Sequence, residues 1–325
     1  MSKDKSYIHL FKSVAEYEEA RNNNYYEPWV SYAEGVGGGL AYNKTAIEKP
    51  LTIKALESGK FKLNSDMNFL EADLHYSKNG GERTAITSAD TINVNAGDVL
   101  ELYGNNTTFC DDDTSEQAYF SIGFQCNIYG NIMSIFNGDD FKTNLEFTSG
   151  YGQQCYQLFV RCKVVDASNL ILPATTLSWR CYDGMFLGCT NLVIAPELPA
   201  TTLEYGCYNG MFYGCTSLTS APLILPAITL ASNCYGGMFQ GCTSLTTAPA
   251  LPATTLAGSC YSSMFADCTS LNYIKCLATN ISAIDCTSDW VYGVASNGTF
   301  VKNANMSSWA TGKNGIPSNW TVQDA

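Results

Sequence analysis

Histidine is nearly missing from this 325-residue chain, which has only His9 and His75. Nucleophilic triads need a general base, most often histidine, and zinc sites draw on histidine or closely paired cysteines. A triad therefore loses its usual base, and the repeated cysteines, spaced C-x7-C, do not supply the close pairs of a zinc site. His75 stands between Leu74 and Tyr76 in an alternating segment and reads as a sheet-surface residue. Charge is thin as well. Charged residues make up 15% of the chain, and 18 basic residues face 30 acidic ones, for a net charge of −12. Nucleic-acid phosphates need a basic surface, and anionic membranes attract polybasic segments, so neither partner fits. No apolar run reaches the roughly 18 residues that a membrane-spanning helix requires. The opening MSKDKSYIHLFKS has lysines but no apolar stretch and no small-residue cleavage site, so no export signal is expected.

The acids that are present do not form a recognisable site. Glycoside cleavage uses a pair of carboxylates flanking the bond, but Asp183, Glu197, Glu204 and Asp267 do not recur in register. Asp111, Asp112, Asp113 and Glu116 form the one acidic cluster; their spacing is not that of a calcium loop, and a solvated loop is the expectation. The run Gly35 to Gly39 lacks the Lys and helix of a phosphate loop and reads as a hinge. No catalytic residue, cofactor or metal is predicted.

What the chain does have is repetition. Four similar stretches begin at Leu172, Leu198, Leu225 and Leu251, opening LPATTL, LPATTL, LPAITL and LPATTL. A fixed period in this range marks a stacked repeat architecture, in which no unit buries its own core. Apolar pairs recur at Met185-Phe186, Met211-Phe212, Met238-Phe239 and Met264-Phe265, with a tyrosine column at Tyr182, Tyr208, Tyr235 and Tyr261. Eight of the 14 cysteines fall at two repeat positions, Cys181, Cys207, Cys234, Cys260 and Cys189, Cys215, Cys242, Cys268. Small buried thiols in ladders are the expected reading. Neighbouring strands lie about 4.8 Å apart, so disulfides between copies stay open. Leu218 to Leu225 is apolar but carries Pro222 and reads as a short, irregular strand, and the run through Thr201 to Tyr208 leads into a turn or short helix ending near Gly214, one strand and one helical piece per repeat.

The pattern MFxGCTSLTxAPxLPATTLxxxCYxG resembles the BspA-like leucine-rich repeats of surface and virion proteins of gut Bacteroidales and their phages. Weaker likeness continues upstream at Gly130 to Met133 and Cys155 to Phe159, and downstream from Trp290, which resembles the family's closing cap. The segment FKSVAEYEEARNNNYYEPWVSYAE is similar to N-terminal segments of virion proteins of such phages. These resemblances imply an attachment segment over 1–48, a β-sandwich over 49–125, leucine-rich repeats over 126–302, clearest over 172–276, and a cap over 303–325. The expected fold is α+β to mostly β, a small sandwich followed by a leucine-rich-repeat solenoid.

Within the N-terminal segment, Ser13 to Glu16 reads as a capping box opening a short helix. An aromatic strand carrying Tyr25, Tyr26, Trp29 and Tyr32 follows, and Leu40 to Asn43 returns as a second strand. These aromatics form the candidate attachment segment; packing on the chain's own next domain is the alternative. Further strands are expected at Leu51 to Leu56, Leu70 to Tyr76, Thr91 to Asn95 and Asp98 to Tyr103, with a hairpin turn at Asn79 to Gly81.

Positions that vary between copies are expected to face solvent. Trp179, Arg180, Tyr205 and Tyr213 gather near the first repeats, and Trp, Tyr and Arg are the usual interface anchors. They form the candidate contact surface; the alternative is that Trp179 and Tyr205 cover the junction with the upstream repeats. The function expected from the resemblance is a non-enzymatic phage structural protein, a head fibre, tail fibre or capsid decoration, located in the virion. Its expected partners are other virion proteins through the N-terminus and host surface or mucus glycans or proteins through the repeats, in a homo-oligomer, by analogy with fibres a trimer. A bacterial cell-surface adhesin is the alternative, and a carbohydrate-active enzyme a third reading.

Overall fold

The computed structural model describes residues 8–11, 26–31, 39–65, 73–110, 117–147, 152–306 and 309–325. At the N-terminus, β1 (Ile8–Phe11), β2 (Tyr26–Ser31) and β3 (Gly39–Asn43) form an antiparallel sheet with β3 central. His9 and Trp29 both stand opposite Ala41. The helix expected after Ser13 lies outside the described residues, as do Tyr25 and Tyr32. Asn43 then caps a one-turn helix, α1 (Lys44–Ile47), its Oδ1 accepting the Thr45 amide at 3.0 Å. Tyr42, Ala46 and Ile47 are buried in a small cluster with Ile171.

Two further sheets follow. One is six-stranded, in the order β12-β11-β4-β9-β6-β7, from β4 (Leu51–Ala55), β6 (Leu74–Lys78), β7 (Thr84–Ala85), β9 (Val99–Gly104), β11 (Cys126–Asn131) and β12 (Val164–Ile171). The other sets β5 (Gly59–Ser65) between β8 (Ile92–Val94) and β10 (Ala118–Ile122). Alternation places the side chains: in β9, Leu100 and Leu102 go inward while Glu101 and Tyr103 stay partly exposed. Glycine is required where β9 ends, because a Cβ on Gly104 would sit 2.1 Å from the Asp73 carbonyl oxygen. The six-stranded sheet takes β11 and β12 from beyond residue 125, and β11 and β12 run parallel. Gly130 to Met133, which resembles an upstream repeat, is the end of β11 and the 3-10 turn after it.

The structure overturns the expected leucine-rich-repeat solenoid. From Leu172 to Asn272 the chain forms no strand and no helix, only consecutive turns and single bridges. The strand expected over Leu218 to Leu225 is reduced to bridges at Ser220 and Ile224. The short helix expected towards Gly214 is excluded by backbone sign. Gly206, Gly210 and Gly214 have φ of 63, 55 and 72°. An α-helix needs negative φ at every residue and bonds four residues back. Every copy repeats this four-residue spacing, at Arg180, Gly184 and Gly188, at Asn233, Gly237 and Gly241, and at Ser259, Ser263 and Asp267.

Instead, alternate amides do alternate jobs. In 172–197 the amides of Tyr182, Gly184, Phe186 and Gly188 donate to carbonyls of the next copy, at Cys207, Asn209, Met211 and Tyr213, over 2.7–2.9 Å. Cys181, Asp183, Met185, Leu187 and Cys189 donate three residues back, over 2.8–3.3 Å. Each copy is thereby a coil of linked turns, laid in register on its neighbour. The same bonding joins 153–161 to the first copy, and 259–267 to 284–292.

Register stacks like on like. Phe159, Phe186, Phe212, Phe239 and Phe265 form a file with centroids 5.4–5.7 Å apart and planes within 17°. Tyr182, Tyr208, Tyr235 and Tyr261 form a second file. All 14 cysteines are buried thiols. Those at the second repeat position share one partner type, as Cys189, Cys215, Cys242 and Cys268 donate Sγ–H to the carbonyls of Phe159, Phe186, Phe212 and Phe239. The stack ends in a parallel sheet of β13 (Tyr273–Cys276), β14 (Thr299–Lys302) and β15 (Thr321–Asp324). There Trp290 stacks between Tyr261 and Trp309 and donates Nε1–H to the Gly315 carbonyl at 2.9 Å. One buried cluster runs from Leu51 to Trp320.

Candidate functional site

Trp179 and Tyr205 occupy equivalent places in adjacent coils, just before a left-handed residue, and are 38% and 48% exposed. The amide of Arg180 donates to the Tyr205 carbonyl at 2.9 Å, which fixes the two coils at this point. Trp179 is also structural. A Cβ on Gly152 would lie 2.7 Å from its Cε3, so the indole covers the coil upstream as well as meeting solvent.

Arg180 is already engaged. Its Nε donates to Asp183 Oδ2 at 2.6 Å, and its guanidinium carbon stands 4.9 Å from the Tyr156 ring centre and 5.5 Å from that of Trp179. Burial opposes its charge, but the Asp183 bond and charge outweigh this and raise its pKa. Burial raises the pKa of Asp183, against the pull of Arg180. The pair braces the flank, and the arginine is not a free anchor.

Tyr213, 43% exposed, lies eight residues beyond Tyr205 on the same coil. It borders a shallow groove of about 340 Å³ with Asn209, Asn233, Gln240, Ser262 and Ser263. Asn209 Nδ2 donates across the groove floor to the Gly236 carbonyl at 3.0 Å. These amides and hydroxyls extend the candidate surface beyond the four residues expected. One column of them, Asp183, Asn209, Gly236 and Ser262, follows the repeated tyrosine and varies from copy to copy. That variation was the signal available in the sequence.

The surface offers aromatic faces, amides and hydroxyls, with Asp183 at its edge held by Arg180. His75 is a surface residue 3.4 Å from Asp73. Burial pushes the Cys207 and Cys268 thiols up to about 12 and most of the others well above their usual value, so they stay protonated and weakly nucleophilic. Among the described residues, no group of three or more His, Cys, Asp or Glu is placed to hold a metal, and no helix is long and apolar enough to cross a membrane. Of the candidate attachment residues, Tyr26 and Trp29 lie on β2. The acidic run 111–116 lies outside the described residues.

No protein-family model, no curated protein and no solved structure matches this chain.

Proposed function

We propose that the chain is a non-enzymatic structural protein of a phage particle, anchored through its N-terminal segment and displaying the stacked coils as a contact surface for host surface or mucus glycans or for neighbouring virion proteins. One observation carries this reading. Positions facing the core are nearly invariant across four coils, while those on the exposed flank change from coil to coil, from Trp179 to Tyr205 and from Leu187 to Tyr213. Packing fixes the first set and leaves the second open to partner recognition. The resemblance of the N-terminal segment to phage virion proteins supports the anchoring role, and β2, which carries Tyr26 and Trp29, is an outer strand of its sheet.

The flank is tested by measuring retention on immobilised mucin and on purified particles lacking this chain. Tyr205→Ala and Tyr213→Ala, at aromatics more exposed than Trp179, are expected to lose roughly tenfold or more in affinity, about 1.4 kcal/mol or more, with an unchanged melting temperature. Equal retention of wild type and both variants would remove the flank from the account.

A further inference from the structure

Between β10 and the first coils opens a cleft of about 570 Å³, within the range that holds small ligands. Asn64, Gln117 and Tyr119 line its sheet side, and Gln157, Val160 and Arg161 its coil side. None of the described lining residues is acidic, and Arg161 alone carries charge there. Its side chain is exposed and makes no ion pair among the described residues, in a protein of net charge −12.

An amide chain ends in this cleft one partner short. Gln157 Nε2 donates to the Tyr156 hydroxyl at 3.0 Å, and Gln117 Nε2 reaches Gln157 Oε1 at 3.5 Å. Gln117 Oε1, at the end of the chain, is buried with no donor. A buried acceptor without a donor is costly, and a turn of the Gln117 side chain into the cleft it lines would let a ligand hydroxyl satisfy it. Asn64 and Ser121 add groups that both donate and accept. The Tyr119 ring supplies a face for C–H surface, and a guanidinium fork matches a planar carboxylate.

The combination of hydroxyl donors, an apolar face and one carboxylate describes an acidic sugar. We propose that this cleft binds a single hexuronic acid unit, its carboxylate on Arg161 and a ring hydroxyl donating to Gln117 Oε1. The cleft meets the Tyr213 groove at Leu187, which lines both, but neither Tyr205 nor Tyr213 lines the cleft, and the proposal does not depend on the flank reading.

Titration calorimetry of the full chain with D-glucuronic acid, D-galacturonic acid, D-glucose and sodium acetate tests it. Saturable binding of at least one uronate is expected, with glucose and acetate weaker by about tenfold or more, the range of one charge-assisted bond. Arg161 has φ of 55°, which asparagine tolerates, so Arg161→Asn keeps the backbone and is expected to abolish the preference for uronate over glucose. Gln117→Leu removes the orphaned acceptor; it is expected to weaken uronate binding while leaving the melting temperature equal or higher, an outcome a purely structural role would not give. Tyr205→Ala is expected to leave uronate binding intact, which separates this site from the flank. No saturable uronate binding, an unchanged preference in Arg161→Asn, or acetate bound as well as uronate would overturn the proposal.

Discussion

Glu197 shows how one side chain can repair a repeat. The second copy carries one extra residue, Leu223-Ile224 where the third has Ala250. At this irregularity the Leu223 amide finds the Glu197 carboxylate at 3.2 Å. Burial raises the pKa of Glu197 to about 7, although the Leu223 bond works the other way. The folded carboxyl therefore holds its proton more tightly than the unfolded one. Its contribution to stability is full below about pH 4.5 and is lost as the pH rises towards 7. Urea midpoints across that window should fall more steeply for wild type than for Glu197→Gln; parallel curves would show that the carboxyl does not titrate there. The thiols make a second residue-scale test. Buried as they are, they should be silent to a thiol reagent in the native state, whereas all 14 should react once the chain is denatured without reductant. A shortfall in the denatured count would reveal disulfides.

At the scale of the element, the coil is held by the sign of φ and by ring files. Gly214 has φ of 72°, with the Gly188 Cα 3.8 Å from where a Cβ would stand, so Gly214→Ala meets backbone strain and no steric block. A loss of about 1–2 kcal/mol is expected in urea unfolding. Phe212→Ala opens a hole in the middle of the phenylalanine file and is expected to cost about 3–5 kcal/mol. If the alanine at Gly214 cost as much as that at Phe212, the turn geometry would need revision. The sequence made the columns legible, because Met185-Phe186 and its copies repeat without exception, and several strands were readable from alternation, as in β9. The coil's inner conformation was harder to read. Glycine spaced every four residues looks like a helix followed by a stop when only the last glycine is considered. The same left-handed places are filled by Arg180, Asn233 and Ser259, which carry no glycine signal. The cleft was invisible for another reason: Asn64, Gln117 and Arg161 come together only through the pairing of β5 with β10 and the docking of β10 on a coil, where the Phe120 amide meets the Leu158 carbonyl at 2.8 Å.

For the whole molecule, the parts are mechanically continuous. The six-stranded sheet hands over to the coils at β12, where Asp166 bridges Ile194 and Ile194 bridges Ser220, and the stack closes on Trp290 and the β13-β14-β15 sheet. Such a body is suited to displaying a surface at a fixed place, which on the proposed function is a virus particle. Quantitative peptide mass spectrometry on density-purified phage particles, beside the cell-envelope fraction of the same culture, tests it most directly. Enrichment in particles at a fixed ratio to the major capsid protein is expected, with a copy number that reveals the symmetry of its site. Enrichment in the envelope with none in the particles would contradict it and make the chain a cell-surface adhesin.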